Sequence, residues 1–210
     1  MNVFILNTGR CGSTTFIKAC NHITNFSSAH ESRISALGSE RLNYPKNHIE
    51  ADNRLSWLLG RLDRIYGDNA IYVHLKRNNN DTAQSFTKRY SYGIIKAYRG
   101  DGILMWLPED SDPMAVSLDY CDTVNSNIDL FLKDKTHKMD MNLESIEQDF
   151  IAFWKLIGAE GDMNAALAEF GTRHNASKQP QKTEKENIFL RILYKLRRLA
   201  IQFPDYIRNV

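Results

Sequence analysis

Gly9, Arg10, Cys11, Gly12, Ser13, Thr14 and Thr15 bring a cation, two glycines and three hydroxyls into one short stretch. The apolar run Phe4-Ile5-Leu6 precedes it, and Phe16, Cys20 and Ile23 follow at helical spacing. The pattern reads as a buried strand, a glycine-bounded turn and the start of a helix. A helix N-terminus combines unpaired backbone N–H groups with the positive end of the helix dipole, so this turn is suited to an anion. Gly9 and Gly12 let the backbone come close, and Ser13, Thr14 and Thr15 add hydroxyl donors. Arg10 adds a permanent charge that forks onto an oxyanion. The run departs from the triphosphate loop G-x-x-x-x-G-K-[ST], because no lysine precedes the Ser/Thr pair.

A second set of residues has the same character. Ile71 to Arg77 is a short β-rich run, followed by Asn78-Asn79-Asn80 and then by Asp81 and Gln84 at the spacing of a capping box. Arg77 is therefore expected at a strand end, with Ser85 facing it from the first turns of a helix.

In order and spacing, these two motifs resemble those of the sulfotransferases that use 3′-phosphoadenosine 5′-phosphosulfate (PAPS). The first is similar to that family's 5′-phosphosulfate loop: a Lys or Arg, a small residue, Gly, two or three Ser/Thr, then an apolar helix. The second is similar to its 3′-phosphate site, an Arg at a strand end and a Ser eight residues on, a spacing that Arg77 and Ser85 keep. A looser likeness covers 139–170, where a strand, an acidic turn and a helix ending at Ile157-Gly158 are expected, with Phe150, Trp154 and Ile157 on one face. The resemblance spans most of residues 3–176 and leans towards carbohydrate-sulfating members. It implies PAPS as cofactor, PAP (the desulfonated nucleotide) as product, no metal, and a small-molecule or glycan hydroxyl as acceptor. Gly9 to Thr15, Arg77 and Ser85 would hold the nucleotide. Arg173 stands where some relatives complete the 3′-phosphate pocket with a basic loop.

The reaction also needs a base, which the family places between the two phosphate motifs as a His or a carboxylate. His22, His30, Glu31, Glu40, His48, Glu50 and Asp52 fall in that interval. Glu31 leads because His30-Glu31 follows a candidate strand, Phe26-Ser27-Ser28-Ala29, and because glycan-sulfating members carry a Glu at a similar place. His30 and His48 are the reserves. A turn cap or a pairing with Arg33 would equally account for Glu31.

The elements that must position these residues alternate. The first strand–helix unit runs to about Ile23, and residues 32–50 are polar and poorly periodic, the kind of segment that covers a site. Leu55, Leu58, Leu59, Leu62 and Ile65 mark an amphipathic helix before the Ile71 strand, and Val116, Tyr120, Val124, Ile128 and Leu132 mark a core-facing one. Alternation of this kind predicts an α/β domain, a central parallel sheet flanked by helices in a P-loop-like three-layer sandwich. Such sheets bind ligands at the carboxyl ends of their strands, where Arg10, Glu31 and Arg77 would meet. Gly100 to Asp112 reads as a lid, an acceptor loop or a plain surface loop with an apolar anchor.

At 210 residues the chain suffices for one substantial core. We expect a domain over 1–176, then a polar connector from Ser177 and a basic amphipathic helix from Ile188 to Phe203, packed on the same domain. A membrane surface or a partner is the other use of such a helix. With 27 basic and 25 acidic residues, net charge gives no case for nucleic-acid binding. Three cysteines at no metal-ligand spacing suit a reducing compartment, and Cys11 beside Arg10 at a helix N-terminus could be a thiolate. No stretch approaches the roughly 20 apolar residues of a membrane span, and Val3 to Leu6 is too short for a secretion signal. The expected location is cytoplasmic. Two other classes stay open: a nucleotide or small-molecule kinase on the same strand–loop–helix, and a non-catalytic PAP- or nucleotide-binding module.

Overall fold

Alternate side chains of the first strand, β1 (Asn2–Leu6), serve two different cores. Val3 and Ile5 point to one side of the sheet, Phe4 and Leu6 to the other, and all four are fully buried. That is why the strand reads as a continuous apolar run: it is covered on both faces. These features come from a computed structural model, which describes residues 1–171. Arg173 and the expected connector and basic helix lie outside the described residues.

The chain continues through α1 (Ser13–Cys20), β2 (Ser27–His30), β3 (His48–Ala51), α2 (Leu59–Tyr66), β4 (Ala70–Lys76) and α3 (Asn79–Thr87). It then forms α4 (Gly93–Ala97), α5 (Pro113–Leu132), β5 (Lys138–Asn142), α6 (Ile146–Ile157) and α7 (Met163–Ala168). The five strands make one sheet in the order β2-β3-β1-β4-β5, and every adjacent pair is parallel. The expected parallel α/β architecture is therefore present.

One core joins Val3, Ile5, Val73 and Met141 to Phe16 of α1 and to Phe150, Phe153 and Trp154 of α6. Phe16 packs edge-on against Phe150 and Phe153, with ring centroids 5.5 and 5.2 Å apart. The other core joins Phe4, Leu6 and Tyr72 to Leu62 of α2, Phe86 of α3, and Tyr120, Val124 and Ile128 of α5. As expected, α6 ends at Gly158, which takes a left-handed conformation (φ 61°).

From β1 the chain runs out to the edge strand β2, returns to β3, then crosses β1 to reach β4 and β5. The direction of winding reverses beside the carboxyl end of β1, which opens a crevice there.

Three local expectations need correction. Residues 32–50 are not only a covering segment, since 48–51 form β3, an interior strand between β2 and β1. The amphipathic stretch from Leu55 to Ile65 is divided into a 3₁₀ turn, Asn53–Trp57, and α2, because Asp52 caps the turn by accepting from the Arg54 N–H at 2.8 Å. Asn78, not Asp81, caps α3, its side chain accepting from the N–H groups of Asn80 and Asp81. Helix α3 thus starts earlier, and Ser85 belongs to its last turn.

Candidate functional site

The loop after β1 turns its carbonyl oxygens into the protein. Asn7 O accepts from Ser56 Oγ at 3.2 Å, and Thr8 O from Tyr120 Oη at 2.7 Å. Gly9 O accepts from Thr8 Oγ1 at 2.9 Å and Arg10 O from Arg77 Nη1 at 3.2 Å. The Phe16 N–H takes Gly12 O at 3.0 Å, closing the first turn of α1. Gly12 is the N-cap of α1 and carries no side chain to cap it. The first N–H groups of a helix have no acceptor inside it, so the loop offers donors at its mouth while its acceptors are used behind.

Gly9, Arg10 and Gly12 all have positive φ, at 85°, 63° and 81°. Two of these positions demand glycine for a second reason. A Cβ on Gly9 would lie 2.8 Å from Asn53 Nδ2, and one on Gly12 would lie 2.7 Å from Leu143 Cδ1. The glycines thus seat the loop on its neighbours, a more immediate role than ligand approach. Arg10 pays for its left-handed backbone at about 1 kcal/mol or more and is held at both ends. Arg77 grips its carbonyl, and its Nε donates to Ser85 Oγ at 3.0 Å.

Cys11 faces the core rather than the crevice. Its Sγ lies 3.1 Å from Thr8 Oγ1, and burial pushes the thiol's pKa up, against the thiolate reading of Cys11.

A cleft of about 230 Å³ opens over the loop. Gly9, Arg10, Ser13 and Thr14 form its floor. His30 and Glu31 enter from the end of β2, and Asn53 and Arg54 from the end of β3. Phe86, Arg89, Tyr92 and Ile94 close the side that follows α3. His30 Nε2 is 3.0 Å from Ser13 Oγ, and Arg54 Nη1 is 3.1 Å from Glu31 Oε2. Glu31 adopts a left-handed conformation (φ 51°), uncommon for a residue with a side chain.

The other proposed bases have structural employment. Glu50 is fully buried, accepting from the Ser32 N–H and Ser32 Oγ, both at 2.7 Å, and meeting His48 Nε2 at 3.0 Å. His48 Nδ1 in turn meets Ser27 Oγ at 2.8 Å. This chain of bonds fixes the corner that presents His30 and Glu31. Asp52 is buried against Arg41, His22 meets Glu169 Oε1 at 3.2 Å beyond the far end of α1, and Glu40 is exposed beside Arg33. None of these residues lines the cleft.

Arg77 and Ser85 stand behind Arg10 rather than on the cleft wall, and Thr15 is also off that wall. The segment from Gly100 to Asp112 does not line it either; residues 86–94 do. Asn53, Arg54, Arg89 and Tyr92 escaped sequence reasoning. A signal exists for the first two, since Asp52-Asn53-Arg54 directly follows β3, a strand concealed by its buried polar side chains.

Positive charge gathers here. Arg10 has its pKa lowered by burial, then by the nearby charge of Arg89, with Arg77 acting in the same sense. Among the described residues Glu31 is the one carboxylate on the wall, and Arg54 already holds it. Among the described residues no group of three His, Cys, Asp or Glu side chains could hold a metal ion, and no helix is long and apolar enough to cross a membrane. No protein-family model matches the chain, and no curated protein matches it.

Proposed function

We propose that this protein is a PAPS-dependent sulfotransferase acting on an acceptor hydroxyl, including that of a carbohydrate. The observation that carries the reading is the meeting of Arg10, Arg77 and Ser85. Arg10 lies far in sequence from the other two, yet it bonds to both of them at the carboxyl edge of a parallel sheet. A nucleotide with an anion at each end of its ribose would need such a pair of adjoining sites.

The residues present suit that nucleotide. The loop's acceptors are already satisfied, and the guanidinium groups of Arg10 and Arg77 stand close enough for their charges to oppose one another. Gly12, Ser13, Thr14 and Thr15 would hold the 5′-phosphosulfate, and Arg77 with Ser85 the 3′-phosphate. Bound PAPS would supply the sulfuryl group: the acceptor oxygen bonds to sulfur, the bond from sulfur to the 5′-phosphate oxygen breaks, and PAP keeps that electron pair.

Arg10 would offset charge on the departing oxygen, where a preorganised cation contributes most. Glu31, the carboxylate on the wall, would take the acceptor's proton. His30, bonded to Ser13, would orient the cradle hydroxyl.

Incubating the full chain with PAPS labelled in its sulfate, against a panel of hydroxyl acceptors, tests the reading. Label should pass to an acceptor with release of PAP. Transfer of phosphate from ATP would establish the kinase reading, and PAP binding without turnover the silent module.

A further inference from the structure

Arg89 is a cation with no assignment in this chemistry. It follows α3, outside both phosphate motifs, and lines the cleft together with His30 and Glu31. Its guanidinium carbon lies 5.7 Å from the centre of the Tyr92 ring, and its Nε is buried with no hydrogen-bond partner among the described residues. A guanidinium forks onto an oxyanion through its outer nitrogens, and those of Arg89, on the cleft lining, form no hydrogen bond or ion pair among the described residues. Among the described residues no carboxylate pairs with it, and Glu31, on the wall, is engaged by Arg54.

We propose that Arg89 binds an anionic group of the acceptor itself, so that the substrate is a hydroxyl compound carrying its own carboxylate, sulfate or phosphate. This inference rests on the sulfotransferase reading. The neighbouring surface fits such a molecule. Phe86, Tyr92 and Ile94 offer an apolar wall for a ring, beside the charge of Arg89. Arg10 and Arg89 line the same cleft and Arg10 feels the charge of Arg89, so the acceptor's anion would lie near the donor's. The same chemistry could instead serve a phosphate of the nucleotide, and the experiment must separate the two sources.

Two matched probes differ only in charge: para-nitrophenyl glucuronide and para-nitrophenyl glucoside. Their binding to the full-length protein is measured by calorimetry with and without saturating PAP, alongside the affinity for PAP. The wild type should bind the glucuronide at least about tenfold more tightly, the worth of a charge-assisted contact. Arg89→Ala should abolish that preference and leave PAP affinity within about twofold; Arg89→Lys should keep part of it. Thermal melts confirm that both variants fold. A wild type that binds PAP but does not distinguish the probes overturns the anionic subsite and leaves the sulfotransferase reading standing. Loss of PAP affinity in Arg89→Ala overturns it too, by giving Arg89 to the nucleotide. If PAP does not bind at all yet the glucuronide preference depends on Arg89, the subsite stands and the sulfotransferase reading falls.

Discussion

Arg10 Nε donates to Ser85 Oγ at 3.0 Å, tying the loop after β1 to the last turn of the helix after β4. This bond fixes the direction of a guanidinium whose backbone is already constrained by its left-handed conformation. Arg77 completes the arrangement by bonding the Arg10 carbonyl. The two candidate phosphate positions are therefore one mechanical unit, and a ligand on Arg77 or Ser85 would change how Arg10 is held.

Arg77→Ala should weaken binding of PAP more than binding of adenosine 5′-phosphosulfate. A hydrogen bond to a charged group is worth about 1.5–3 kcal/mol, and this one exists only with the 3′-phosphate. Some loss for both ligands is expected, because Arg10 O also loses its donor. Ser85→Ala should show the same selectivity with a smaller loss. Calorimetric titration of both nucleotides checks this, and equal weakening would reduce Arg77 to a support of the loop.

Gly12→Ala should destabilise the fold by about 1–2 kcal/mol. A side chain at φ 81° is strained, and its Cβ would press on Leu143 Cδ1. The Leu143 contact is with the end of a flexible side chain, so Leu143→Ala should recover part of the loss in the double variant. Strict additivity in urea melts would show that backbone strain alone is responsible.

The sequence announced β1 and β4 as continuous apolar runs covered on both faces, and α1, α5 and α6 because their apolar residues follow the helical period toward one core each. It concealed β3 for a physical reason. His48 and Glu50 alternate with Ile49 and Ala51, which reads as a polar surface segment, yet the two polar side chains bond to each other inside the protein. The alternation is present, but its polar members are buried rather than solvent-facing. Gly9 to Thr15 and His30-Glu31 were legible because chemistry and spacing coincide in a short run. Arg54 and Arg89 were not, since each is an isolated arginine whose value comes from what the fold sets across from it.

His74 should make stability depend on pH. It is fully buried on β4, and burial lowers its pKa below 6.5 although Nδ1 lies 3.0 Å from Asp129 Oδ1. Lys76 Nζ, 3.4 Å from the same carboxylate oxygen, competes for that charge. With the folded value depressed, the unfolded chain binds the extra proton more readily below about pH 6.5. Stability is then complete above that value and falls as pH drops through it. Urea midpoints measured from about pH 7.5 to about pH 5.5 should fall more in the wild type than in His74→Gln. Parallel profiles would assign the pH dependence to other groups.

Glu31 and His30 are neighbours with different attachments, and that difference separates their roles. His30 is bonded to Ser13 in the cradle, so His30→Ala should loosen the nucleotide. Glu31 is held by Arg54 on the wall, so Glu31→Gln should leave nucleotide affinity unchanged. A general base typically contributes about 10²–10⁴ in rate, and glutamine preserves size and hydrogen bonding without basic function. Turnover in Glu31→Gln should fall by that factor, with loss of the acidic limb of the pH profile. Near-normal turnover there, together with a large fall in His30→Ala at saturating PAPS, would transfer the base to the imidazole. Arg54→Ala supplies an independent check, because it frees the carboxylate without moving Glu50, which fixes Ser32 behind the corner. Turnover should change in that variant while nucleotide affinity does not; a change in affinity alone would mean that Arg54 and Glu31 serve only to shape the cleft.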